Sequence, residues 1–163
     1  MITVRAALDK CADWGEPRTV EGNPFRLACR LEGAATPHEI DEAWPSKLLP
    51  TDLRELWTTS REGELFVDAD YGQWGLNLLS PAASAARSAK EREERPDDFA
   101  PGDVVVGQFL GDQDLLVADD AGAVLVALPL DERADWYKPA PSLAEFLDRY
   151  VSAKGAKFWE RTD

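Results

Sequence analysis

The spacing of apolar residues changes several times along the chain, and each change marks an element. The clearest helical period is in SLAEFLDRY, where Leu143, Phe146, Leu147, Tyr150 and Val151 fall at i, i+3, i+4, i+7 and i+8, a full core-facing stripe. Ser142 and Glu145 form a capping box at its start. Gly155 ends or bends it, and KFWE reads as an aromatic tail packed back on the domain. A second stripe, Leu53, Leu56 and Trp57, predicts a short helix in LLPTDLRELW, with Asp52 and Glu55 near its positive end. In TPHEIDEAW, Thr36 is the N-cap, Pro37 takes the first helical position and Glu39 completes a capping box. Pro45 keeps that helix short. SPAASAARSAKEREER is helical too, capped by Ser80, but its apolar residues are almost all alanine, which predicts a peripheral helix.

Elsewhere the period falls to two or disappears into apolar runs. GELFVDADYG sets Leu65 and Val67 against Glu64, Phe66 and Asp68, and WGLNLLS continues the pattern after a Gly-flanked turn. Residues 103–128 read as an antiparallel hairpin or meander. DVVVGQFL, DLLVADD and AVLVAL are joined by GDQ and DAG turns and are apolar enough to lie centrally in a sheet. After the PLDERAD loop, WYKPA predicts an edge strand, because Pro139 cannot donate to a ladder. Residues 1–35 form an N-terminal extension. VRAALDKCADW has helical composition, with Val4, Leu8 and Cys11 near one face, and PFRLACRL is a strand or extended arm. Residues 36–163 form the main domain. The expected fold is a single α+β domain, a mainly antiparallel sheet with flanking helices.

Length and composition bound this picture. A chain of 163 residues, 44% hydrophobic and 30% charged, fits one domain with a core of its own. No apolar run approaches a membrane span, and the charged N-terminus lacks the apolar stretch of a secretion signal. The expected compartment is the cytoplasm. Cys11 and Cys29 are the only cysteines and His38 the only histidine. That is too few ligands for a structural zinc site, and the two cysteines are expected to be reduced, semi-buried thiols. The net charge of −13 repels nucleic acid and acidic membrane. It suits a basic protein partner, although acidity also serves solubility alone.

Catalytic patterns are missing. There is no phosphate-binding glycine loop, no G-x-S-x-G turn and no H-E-x-x-H helix, and His38 sits at a helix start. The expectation is no enzyme activity and no cofactor. Asp68 and Asp70 before Tyr71 and Gly72 begin like a calcium loop, but the glycine falls one place early and Leu79 stands where a bidentate Glu is needed. Asp112 and Asp114 flank Gln113, and Asp119 and Asp120 occupy the next turn. Such acids serve turn backbones, contact a partner or hold a divalent ion. Among the tryptophans, Trp57 and Trp159 read as core. Trp74 and Trp136 adjoin acidic loops, the combination of aromatic anchor and charged rim found at hot spots, although core anchoring accounts for them equally. The contact candidates are Asp68, Asp70, Tyr71, Trp74, Asp112, Asp114, Asp131, Glu132, Asp135 and Trp136.

The order of motifs resembles the SUKH superfamily. The residues that carry the likeness are Leu49, Pro50, Leu53 and Trp57, then Gly111 and Asp112, then Asp119, Gly122 and Val124, and finally Ser142 through Leu147. The family's Asn-Gly after the first motif is replaced here by Ser60, Arg61, Glu62 and Gly63. The resemblance implies a sheet with packed helices and no catalysis. Its bacterial members neutralise toxins, often nucleases, and a fungal member regulates cell-wall synthesis. The expectation is an immunity-type protein that binds a basic, nuclease-like toxin. The alternatives are a regulatory protein- or peptide-binding module and, more remotely, a carboxylate enzyme with a divalent ion.

Overall fold

The structure, a computed structural model, describes residues 2–45 and 49–160. Leu48, at the start of the predicted LLPTDLRELW helix, and residues 161–163 lie outside it. The chain begins with α1 (Val4–Asp9), which runs into a 3-10 turn, Lys10–Trp14, and then a hairpin, β1 (Arg18–Val20) and β2 (Asn23–Leu31). Two short helices follow, α2 (Pro37–Ala43) and α3 (Thr51–Thr59), then β3 (Gly63–Asp68) and β4 (Leu76–Leu78). After α4 (Pro81–Glu94) come β5 (Val104–Phe109), β6 (Leu115–Ala118), β7 (Val124–Ala127) and β8 (Tyr137–Ala140), and α5 (Leu143–Ser152) completes the set.

All eight strands form one antiparallel sheet in sequence order, with β1 and β8 at its edges. The fold is therefore α+β, with five helices among the described residues. Within residues 2–35, β1 and β2 belong to this sheet and α1 to its core. β2 pairs with β3, matching Leu27 to Asp68 and Leu31 to Gly63, and Val4, Ala7, Leu8 and Cys11 are buried. α1, α3 and α5 pack against one another over one face. On the other face, Val105, Val117 and Leu125 are covered by Phe99 and Trp136. Burial on both faces explains why the β5–β7 segments are nearly continuous apolar runs.

The predicted caps form in part. Thr36, Ser80 and Ser142 accept the backbone N–H of Glu39, Ala83 and Glu145 at 3.1–3.2 Å. The glutamates of the two boxes turn outward instead, Glu39 to Arg61 and Glu145 to Arg149. Asp52 and Glu55 serve neighbouring helices rather than their own. Asp52 accepts the Ala144 N–H of α5 at 3.0 Å, and Glu55 accepts the Val4 N–H of α1 at 3.2 Å. Each places a negative charge at the positive end of a packed helix.

One local expectation is corrected. In β3 the alternation fails, because Phe66 adopts a φ of 52°. That twist turns Leu65 and Phe66 into the same core, both fully buried. In α4 the buried face is polar. Ser84 donates to the Val105 carbonyl at 2.6 Å, and Ser88 accepts the Val105 N–H at 2.8 Å. β4 ends at Leu78 opposite Gly107, so these serines supply the partners that a longer strand would have given β5.

Candidate functional site

A sequential meander sends alternate connections to the same end of the sheet. Here the β1–β2, β3–β4, β5–β6 and β7–β8 connections leave the same end, neighbouring ones being two strands, or roughly 10 Å, apart. This end holds Asp70, Tyr71, Trp74, Asp112 and Asp114. The chain after α5 returns to it through the 3-10 turn Phe158–Glu160, whose rings pack on Phe146, Tyr150 and Phe109. Lys157 joins these pieces. Its side chain is 6% exposed; it is ion-paired with Asp112, lies 4.0 Å from Asp114 and sits 5.3 Å from the centre of the Trp74 ring. Trp74 Nε1 donates to the Gly155 carbonyl at 3.1 Å, so the C-terminal turn is fastened to the β3–β4 loop. Between this turn and the β1–β2 turn is a groove of ≈ 570 Å³, with Val20, Pro24, Phe25, Trp74 and Ala156 among its walls.

The predicted contact residues divide by what they do. Tyr71 is 75% exposed and stands at the tip of the 69–75 loop. Asp70 is exposed and holds Arg26 through two bonds of 3.0 and 2.6 Å. That guanidinium draws its carboxyl below the ordinary value, against a smaller desolvation cost. Asp112 is exposed, with Lys157 as partner.

Asp68 is withdrawn from the contact set. It is 2% exposed and accepts the backbone N–H groups of Asp70, Tyr71 and Gln73, so its charge is spent on folding the loop that presents Tyr71. Asp114 is also buried. Burial holds its carboxyl above the ordinary carboxylate value; Lys157 pulls the other way, and Asp112, Glu160 and Asp131 add like-charge repulsion.

A carboxyl raised in the folded state binds protons more readily there than in the unfolded chain. Stability from this group is therefore greatest at low pH and falls as pH rises through the folded value. Asp114→Asn is expected to raise the melting temperature at neutral pH, with the gain shrinking on acidification below the folded value. Thermal melts across the acid range check this.

The remaining candidates lie on the β7–β8 connection. Trp136 is buried on the opposite face, 5.1 Å from Phe99, and its Nε1 donates to the Asp131 carbonyl at 3.1 Å. It is a core anchor and is also withdrawn. Asp131, Glu132 and Asp135 are exposed on the segment between β7 and β8, which Arg133 ties to Asp98 and Asp103 near the start of β5. Asp131 stands near enough to Asp114 to add like-charge repulsion, so this segment forms a ridge beside the Lys157 cluster.

Oxygens of Asp112, Asp114 and Glu160 lie within 4.8 Å of one another. A divalent ion there would have to displace the Lys157 ammonium from Asp112, since that cation already balances the group. His38 is exposed and faces Glu42 at 3.5 Å, remote in sequence from every residue of this end. Lys157 went unnoticed in the sequence because KFWE reads as an aromatic tail, and the neighbours of its ammonium come from segments more than 40 residues away. No described helix is long and apolar enough to cross a membrane.

No family model matches the chain, and no curated protein matches it.

Proposed function

We propose that this chain is a non-enzymatic binding protein of the immunity type, which covers and neutralises a basic partner such as a nuclease toxin with the loop end of its sheet. The observation that carries the reading is the exposure of Tyr71 between acidic neighbours on a loop internally braced by Asp68. A large amphipathic ring held in place loses little entropy on binding, which is what makes tyrosine an interface anchor. Asp70 adjoins it in the loop, held by Arg26, and the net charge of −13 steers a cationic partner toward encounter. The resemblance of the Leu49-to-Trp57 and Ser142-to-Leu147 segments to the SUKH superfamily supports the same reading, since its bacterial members neutralise toxins.

Affinity capture from the source cells at low and moderate salt tests it. One basic protein should be recovered and then lost as salt rises. Tyr71→Ala should weaken its binding by about 1–2 kcal/mol, roughly tenfold, with the fold intact by circular dichroism. Asp135→Lys, on the β7–β8 ridge, should change affinity little. A partner that ignores Tyr71→Ala but is lost with Asp135→Lys would move the contact surface to the ridge. A partner that is neither basic nor salt-sensitive would favour the regulatory peptide-binding alternative.

A further inference from the structure

The two cysteines, 18 positions apart in sequence, meet in space. Cys11 comes from the 3-10 turn after α1 and Cys29 from β2. Both thiols are free, and they lie within hydrogen-bonding reach of each other. Each is buried against the core, yet both line one surface pocket of ≈ 230 Å³ with Leu8, Ala12, Gly15 and Leu31. The Cys29 sulfur accepts the Phe66 backbone N–H at 3.3 Å. That amide belongs to the one bulky residue of the sheet with a φ of 52°, a conformation that costs energy in a non-glycine residue. An inert buried cysteine sits in apolar surroundings with nothing donating to its sulfur. Cys29 instead has a thiol and an amide directed at it, and a pocket large enough for a small oxidant.

We propose that Cys11 and Cys29 form a redox modification site, in which a hydroperoxide entering this pocket oxidises Cys29 and Cys11 resolves the product to a disulfide. The Cys29 thiolate attacks one peroxide oxygen and the O–O bond breaks. Cys29 becomes a sulfenic acid, and the departing oxygen leaves as water or alcohol after taking a proton. The Cys11 sulfur then attacks the Cys29 sulfur, the S–O bond breaks, and the hydroxyl leaves as water with the Cys11 proton. Two thiols have lost two electrons and two protons, and the peroxide has been reduced. The environment favours this division of roles. The Cys11 thiol first and then the Phe66 amide hold Cys29 below the ordinary thiol value against the cost of burial, while Cys11 is pushed up. The product fastens the N-terminal segment to the sheet.

The test treats the reduced, folded chain with hydrogen peroxide and follows intact mass, free thiols and thermal melting. The expected result is loss of two hydrogens and of both thiols, with a Cys11–Cys29 cross-linked peptide after digestion. Closing a loop of this size should raise the melting temperature by roughly 6–12 °C. In Cys11→Ala the reaction should stop at a sulfenic acid on Cys29, trapped by dimedone. Two thiols persisting in the folded protein, stepwise gain of oxygen without a cross-link, or cross-links only between chains would each overturn the proposal.

Discussion

Gly75→Ala is expected to lower stability by about 3–5 kcal/mol and to disturb the loop end as it does so. Gly75 immediately precedes β4 with a φ of 117°, a backbone that other residues adopt only under strain. A Cβ there would stand 2.6 Å from Val67 Cα and 2.7 Å from the Phe66 carbonyl oxygen. These are backbone atoms of the adjoining strand, so the alanine cannot be accommodated by a rotamer change. Strands β3 and β4 would have to separate. The Gly75 carbonyl also accepts the Leu110 N–H at 2.8 Å, which links the 69–75 loop to the 110–114 loop. Gly22→Ala is the control. Its φ of 85° carries a similar conformational cost, but nothing lies within 4 Å of the new methyl, so about 1 kcal/mol is expected. Urea midpoints of the two variants separate clash from conformation. Equal losses would show that the β3–β4 contact yields easily.

The second large effect is at Trp57. It is fully buried at the C-terminal end of the α3 stripe, and its Nε1 donates to the Leu79 carbonyl at 2.9 Å across to the segment before α4. Trp57→Ala should cost about 4–5 kcal/mol, combining a large cavity with a stranded carbonyl. Trp57→Phe keeps most of the ring volume and should cost about 1–2 kcal/mol. The difference, read from denaturant unfolding, separates packing from the hydrogen bond. If Trp57→Phe costs as much as Trp57→Ala, the bond rather than the volume holds α3 in place. Such a result would also give the tryptophan of the motif a bonding role beyond packing.

Much of the fold was legible because its signals are local. The stripe from Leu143 to Val151, the caps at Thr36, Ser80 and Ser142, and the Val-rich runs of β5–β7 all appear where the residue pattern placed them. Each depends on neighbours within a few positions, where helix and strand periods and capping chemistry operate. The first 35 residues were harder to read. β1 has only three residues, and the alternation of β2 is split by a register shift at Ala28–Arg30. β2 is placed by pairing with β3, across more than 30 residues of chain.

The candidate site shows the same division. Aromatic residues among acids marked the 68–74, 111–114 and 131–136 segments, and the meander places all three in connections that leave the same end of the sheet. It cannot be read from composition that Asp68 turns inward to three amides while Asp70 turns outward to Arg26. Acids two positions apart in a turn look alike until the loop closes around one of them.

By itself, then, the sequence determined the α+β class, the capped starts of α2, α4 and α5, the central strands and the acidity of the chain, since these follow from period, capping and charge. Only the tertiary structure decided which acids face solvent, that Trp136 belongs to a second core, that Lys157 clasps the loop end and that Cys11 meets Cys29. Those outcomes depend on burial and on contacts between segments distant in the chain, where the energy of a side chain is set by what the rest of the fold places beside it.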